Sequence, residues 1–382
     1  MVSIYLDYNA TTPVAPEVVA AMLPFLQEHF GNPSSDHAYA DAPRRAMAEA
    51  REDTARLIGA RAAEIVFTGS ATEANNLALL GVARALGDAR RHAVISAIEH
   101  PSVSEPARRL QERGWSVTVV PVDAYGRVAP GDVAAALRSD TGLVSVMHAN
   151  NEVGTIQPIA EIATLVHRRG ALLHTDAAQS AGKVALDVEA LGVDLLTLAG
   201  HKFHAPKGIG ALYVRAGTPI AAVLAGAGQE QGLRPGTENI PHIVALGAAA
   251  RLARERLPET RDHLRALRDR LHARLAQEVP GLALNGHPEQ RLPNTLNVSF
   301  PGVSGALLLQ RVADRVAAAT GSACHAGDAA PSAVLEAMGL SNERAAGAVR
   351  LSVGYGTRED EIDTAAAALV AAWRERTVAE HG

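Results

Sequence analysis

Through the first two thirds of the chain, short apolar runs rich in β-branched residues alternate with longer stretches whose apolar positions recur at helical spacing. That alternation predicts parallel strands joined by helices, an α/β architecture. Strands are expected at Glu64–Thr68, His92–Ser96, Ser116–Val120, Leu143–His148, Leu172–Thr175, Leu195–Ala199 and Ala211–Val214. Helical stretches such as Pro43–Leu57, Thr72–Leu86, Ile159–Arg168 and Pro241–Leu257 separate many of them. The last two strands lie too close together for a helix crossover, which predicts a hairpin or an antiparallel edge.

Arg251 to Gln277 is a highly charged stretch of helical period, a composition shift that suits an element bridging two domains. A boundary is expected near residue 255. Beyond it, Asn294–Phe300 and Val349–Val353 read as short strands, and Gly305–Val316 and Asp360–Trp373 as helices. At ~150 residues per domain, 382 residues suit two domains. The expected division is a large domain over 15–255 and a smaller α+β domain made of 1–14 and 256–382.

Composition narrows the chemistry. Apolar residues are 47% and charged residues 20%, which excludes extensive disorder. A net charge of -5 offers no broad basic face for phosphates, and 3% aromatics supply no platform for stacking bases or sugars. Nucleic acid is therefore not an expected partner. The single cysteine, Cys324, cannot form an intramolecular disulfide, so a reducing compartment, the cytoplasm, is expected. The N-terminal residues show no signal-peptide pattern, and no run of about 18 apolar residues occurs, so no membrane is expected either.

Candidate chemistry collects where strands end, since ligands of open α/β sheets bind beyond the carboxyl ends. Leu172–Thr175 runs into Asp176, which alone reads equally as a cap or turn residue; Leu195–Ala199 runs into Gly200-His201-Lys202, where Lys202 alone reads as a solvated lysine. Together they supply the carboxylate and amine that a pyridoxal phosphate enzyme needs, the amine for a Schiff base and the acid for the pyridine nitrogen. Gly69-Ser70-Ala71-Thr72, between a strand and a helix, suits a phosphate cradle or an ordinary capped helix start. His100 suits stacking on a cofactor or acid–base work. His201 and His204 lack the acidic or thiol companions of a metal site, so none is expected. Cys324, in a stretch of small and chain-breaking residues beside His325, is a candidate nucleophile. Arg350 alternates with apolar neighbours and suits either a carboxylate clamp or a structural ion pair.

The whole constellation resembles the cysteine desulfurases of the NifS/IscS kind, within the class V, fold-type I pyridoxal phosphate enzymes. The motifs run in family order: YLDYNATTP from Tyr5, FGNPSSDH from Phe30, ATEANN from Ala71, EHPSV from Glu99 and ANNEVGTIQP from Ala149. They continue as HTDAAQSAGK from His174, GHKFHAPKGIGALYVR from Gly200, RPGTEN from Arg234 and GSACHAG from Gly321. The resemblance implies a mostly parallel seven-stranded sheet in the large domain, and L-cysteine converted to L-alanine with the sulfur held as a persulfide on Cys324. It implies Lys202 as the Schiff-base lysine, Asp176 on the pyridine nitrogen, Gln179 on the ring hydroxyl and His100 stacked on the ring. Ala71, Thr72 and His201 would hold the phosphate, joined by Thr237 from the other subunit of a homodimer. Asn151, also near the cofactor, would hold the substrate carboxylate with Arg350, and Asn9 would lie with them at the substrate. A sulfur-acceptor protein is implied as partner.

The chain departs from the family pattern in several places. Ala199 stands where serine is usual, which removes one phosphate hydrogen bond; Gly69 and Ser70 invert the usual Ser-Gly order; and His204-Ala205 replaces Tyr-Gly. Ala199 and the Cys324-His325 pair resemble the selenocysteine-lyase branch, whose substrate is L-selenocysteine, whereas the loop length from Cys324 to Pro331 resembles the IscS kind. An aminotransferase or a cofactor-free sulfur-transfer scaffold are the other readings, and neither uses Lys202, Asp176 and Cys324 together.

Overall fold

The computed structural model describes residues 3–320 and 332–379. A seven-stranded sheet runs in the order Ile65–Thr68, Gly210–Val214, Leu195–Ala199, Leu172–Asp176, Thr141–Ser145, His92–Ser96, Ser116–Val120. Gly210–Val214 pairs antiparallel with both its neighbours, and the remaining pairings are parallel. Six strands therefore point the same way, and their carboxyl ends open on one rim. The sheet is wholly buried over most of its strands, which is why they read as continuous apolar runs rather than as alternation.

Two sequence expectations shift here. The last strand of the sheet is antiparallel as expected, yet it lies second from the edge, because Ile65–Thr68 pairs along its outer side. The strand expected at Leu143–His148 spans Thr141–Ser145. Its continuation keeps two ladder-like bonds, from Val146 N–H to the His174 carbonyl and from His148 N–H to the Asp176 carbonyl.

The helical segment expected over Pro241–Leu257 and the charged stretch after it form one helix, Ile240–Glu278, of 39 residues. Pro258 lies inside it without ending it. Ile243, Ala245, Leu246 and Ala248–Ala250 of its first half belong to the large core, which includes Val18 and Ile58. Leu264, Leu267, Leu271 and Leu275 of its second half belong to another core with Leu6, Val298 and Leu351. Each such leucine stabilises its core by about 2 kcal/mol, so the helix is glued at both ends to different packing units. The second core lies against a three-stranded antiparallel sheet ordered Ala348–Ser352, Thr295–Ser299, Ala283–Asn285. The helix expected over Gly305–Val316 ends at Arg311; Val316–Ala317 instead pairs in parallel with Ile4–Tyr5.

Glycine matters at one point of the sheet. A Cβ on Gly210 would lie 2.7 Å from the Ser70 carbonyl carbon and 2.9 Å from the Ala71 nitrogen, so only a bare Cα lets the strand touch the start of helix Ala71–Leu86. Gly210→Ala is expected to lower the unfolding free energy by about 2 kcal/mol through overpacking, measured as a lower urea midpoint with unchanged slope.

Candidate active site

The rim at the carboxyl ends of the parallel strands encloses a cavity of about 740 Å³, lined among others by Lys202, Asp176, His100, Gln179, Thr72 and Arg350. Asn9, Ala71, Asn151 and His201 line it as well. Thr237 does not, and is exposed on its own chain. Cys324 and His325 lie outside the described residues.

Lys202 sits just past strand Leu195–Ala199, on a short helical turn. Its Nζ donates to two main-chain carbonyls of the N-terminal segment, Asn9 at 2.5 Å and Ala10 at 2.9 Å. Burial, with Arg350 adding to it, pushes the ammonium down to about 8, while Asp176 and Asp7 pull the other way. A lysine in this setting is substantially a neutral, nucleophilic amine near pH 8.

Asp176, the last residue of its strand, is 6% exposed. One oxygen accepts from Asn75 Nδ2 at 2.7 Å and the other from the Ala178 amide at 2.9 Å, which fixes the plane of the carboxylate. Asn75 is fully buried on helix Ala71–Leu86, and its Nδ2 also donates to Ser102 Oγ at 2.8 Å. Ser102 Oγ in turn lies 2.8 Å from His100 Nδ1, which accepts the Ser102 amide at 3.1 Å. An amide can only donate, so His100 Nδ1 carries no hydrogen, and the neutral ring bears its hydrogen on Nε2. Burial first, and Lys202 with it, holds the imidazole below its usual value, against a pull from Asp176. His100 thus meets the cavity as a neutral ring.

The start of helix Ala71–Leu86 is capped by Ser70, whose Oγ accepts from the Glu73 amide. Glu73 reaches back to the Gly69 amide at 2.7 Å and pairs with Arg234 at 2.8 Å. The amides of Ala71 and Thr72, in the first turn, have no carbonyl within the helix to bind, and both residues line the cavity together with His201. His201 Nδ1 lies 3.1 Å from Thr11 Oγ1, and burial together with Lys202, Lys207 and Lys183 pushes the ring down to about 4. Ala199, 1% exposed, also lines the cavity and offers no hydroxyl.

Arg350, 2% exposed, reaches the cavity from the three-stranded sheet. Its guanidinium donates to Asp7 at 2.7 Å and to the Asn151 carbonyl at 3.3 Å, while Val349 and Leu351 beside it face the second core. Asn9 is a clamp between the two sheets. Its side-chain amide donates to the Asn151 carbonyl and to Thr295 Oγ1, and its Oδ1 accepts from Asn294. Both its amide hydrogens are thereby spent, so the part of Asn9 that meets the candidate lysine is its main-chain carbonyl.

Sequence reasoning singled out neither Asn75 nor Glu99 as site residues, though both lie inside motifs it quoted. Glu99 is partly buried and lines the cavity; its Oε1 accepts from the Ser96 hydroxyl and the Met147 amide, and its buried Oε2 has no hydrogen-bond partner among the described residues. Burial raises it to about 8, with Asp176 nearby contributing, so near neutral pH Glu99 is held as the protonated acid. Among the described residues there is no cluster of three or more His, Cys, Asp or Glu able to hold a metal ion, and no helix is long and apolar enough to cross a membrane.

The donor set suits pyridoxal phosphate: one activated amine, one fixed carboxylate on the sheet rim, and helix-start amides for a phosphate, all around one cavity. Comparison with known proteins agrees. The family model described as Aminotransferase class-V matches residues 4–364. A cysteine desulfurase IscS of Dictyoglomus turgidum is 45% identical over 359 residues, covering 94% of this chain and 91% of that protein. Among solved structures, a NifS-like protein superposes with a TM-score of 0.91 at 36% identity, covering 98% of this chain and 100% of the other. The structure of SspA in complex with cysteine superposes with a TM-score of 0.82 at 36% identity, over 92% of this chain and 99% of that one.

Two outcomes follow from the charges. In cofactor-free protein, acylation of Lys202 followed by peptide mass mapping is expected to rise with a midpoint near pH 8, because the ammonium form below it is unreactive. Glu99 binds its proton more tightly folded than unfolded, so its contribution to stability is full below the unfolded carboxyl range and is lost as pH rises toward 8. Glu99→Gln is therefore expected to flatten the decline in unfolding free energy between pH 5 and 8, checked by urea titrations across that range.

Proposed function

Because the chain belongs to the class-V aminotransferase family, and within it to the cysteine desulfurases of the NifS/IscS kind, we infer that it is a pyridoxal phosphate-dependent enzyme that takes sulfur from L-cysteine and leaves L-alanine. The observation that carries the reading is the meeting of Lys202 and Asp176 at neighbouring strand ends of one buried rim. When bound, the cofactor supplies an electron sink that weakens the bond between Cβ and sulfur.

The chain's own groups do the rest. Lys202, depressed toward 8, would hold the cofactor through its Nζ, and as a free amine that same atom would accept and return protons. Asp176, oriented by Asn75 and Ala178, holds the ring nitrogen's proton. His100 would lie against the ring as a neutral imidazole, and Ala71, Thr72 and His201, which line the same cavity, would hold the phosphate. Thr237, exposed and away from its own cavity, serves the neighbouring subunit of a homodimer; its loop is tied to the sheet edge by the Arg51–Glu230 and Arg234–Glu73 pairs. Arg350 takes the substrate carboxylate beside Asn151, with Asp7 holding the guanidinium in place.

Cys324 then accepts the sulfur. Its thiolate would attack the substrate sulfur, the Cβ–S bond breaking with its electron pair left on Cβ and protonated there to the methyl group of alanine, so that a persulfide would remain on Cys324. The persulfide sulfur passes to an acceptor protein. Selenocysteine asks less of that thiol, because selenium leaves more readily.

The test is product analysis with cofactor and L-cysteine. Wild-type protein is expected to form alanine and, with a reductant, sulfide in equal amounts. Cys324→Ala is expected to keep the yellow, borohydride-bleachable cofactor and to release no sulfide, with a smaller loss on L-selenocysteine. Sulfide from Cys324→Ala at the wild-type rate would contradict the mechanism.

A further inference from the structure

Lys183 is wholly buried, lies outside the set that the proposed chemistry uses, and contacts that set at one point. It borders a second cavity of about 580 Å³ that also touches Lys202. Its Nζ donates to the Gln179 carbonyl at 3.0 Å and to Gln179 Oε1 at 3.3 Å. At the other end of the same amide, Gln179 Nε2 donates to the Asn9 carbonyl at 3.0 Å, the carbonyl that also receives Lys202.

An amide can be turned over at little cost unless its neighbours tell nitrogen from oxygen. Here both ends do. Reversed, Nε2 would face the Lys183 ammonium, donor against donor, and Oε1 would face the Asn9 carbonyl, acceptor against acceptor. Burial, Lys202 and Arg350 push the ammonium down to about 7; the neutral amine still has an N–H to give to Oε1, and the Asn9 carbonyl, an acceptor in every state, keeps Nε2 turned toward itself. With one Nε2 hydrogen on Asn9, the amide has one more N–H to offer in the cavity it lines.

We propose that Lys183 is a positioning residue that locks the Gln179 amide, so that it meets the cofactor ring oxygen as an N–H donor and never as an acceptor. The proposal rests on the cofactor assignment above. A hydrogen donated to the ring oxygen stabilises negative charge there and loosens the proton on the neighbouring lysine-bound nitrogen. Losing the donor raises the pH at which that nitrogen deprotonates.

The experiment is a spectrophotometric pH titration of the holoenzyme's visible band. Lys183→Met is expected to raise the midpoint by about one pH unit. In a Gln179→Ala background the same change is expected to add nothing, because the lysine acts through that amide. An unchanged midpoint in Lys183→Met, or an equal shift with and without Gln179, overturns the proposal. Should Lys183→Met not accumulate as folded protein, Lys183→Gln decides: with an amide N–H in place of the amine it is expected to keep the wild-type midpoint, and a shift as large as that of Gln179→Ala overturns the proposal. Hydride trapping with peptide mapping separates the two levels. Label on Lys202 with an unmoved midpoint sinks the lysine–glutamine coupling alone, whereas no label on Lys202 of the unmodified protein sinks the cofactor assignment.

Discussion

Keeping an amine and a carboxylate out of water without letting them neutralise each other is the constraint around which this molecule is arranged. Lys202 and Asp176 occupy neighbouring strand ends, close enough to feel one another and well short of bulk solvent. Buried charge is tolerable only when fixed dipoles replace the lost hydration. The lysine receives that from two main-chain carbonyls, and the aspartate from a side-chain amide and a backbone N–H. Each ion is therefore satisfied by neutral partners, which leaves its charge available to something placed between them.

Sheet polarity makes this possible. Six strands ending on one rim bring helix-start amides, an imidazole, a carboxylate and an amine to a common edge, although they are spread from residue 70 to residue 202. The remaining wall comes from the other packing unit. Arg350 arrives on the small sheet, and the segment from Ile4 to Thr12 first pairs with Val316–Ala317, then crosses to bind Lys202, Gln179 and the main chain of His201. The guanidinium is in turn held by Asp7 of that crossing segment, so the cavity and the seam between the two cores share the same bonds.

Much of this was legible in the order of residues. Strands buried on both faces announce themselves as apolar runs, and the ionisable residues that follow their ends stand out because such runs carry few. Arg350 was visible by alternation, since Val349 and Leu351 had to face a core. The partners that give these groups their properties were not visible. Asn75 lies a hundred residues from Asp176, and no local pattern distinguishes it from Asn76, which merely bonds its own helix at the Thr72 carbonyl. Glu99 sits inside a quoted motif, but the desolvation that raises its proton affinity is a tertiary property. The long helix was legible as two overlapping helical stretches, Pro241–Leu257 and Arg251–Gln277; the structure joins them into one element through Pro258, with apolar packing on both sides of the proline.

The carbonyl of Asn9 takes hydrogens from both Lys202 and Gln179, so a turn near the amino terminus, closed by the Ala10 amide on the Asp7 carbonyl, acts as one rail on which the reactive amine and its neighbour are aligned. That rail is anchored at its far side by Asn294 and Thr295. Anything that slides it by a fraction of an ångström, whether an alteration upstream or a rocking of the small sheet, moves both groups together and in register. Relative motion of the two packing units is thereby geared directly to the placement of the amine, with no intervening lever.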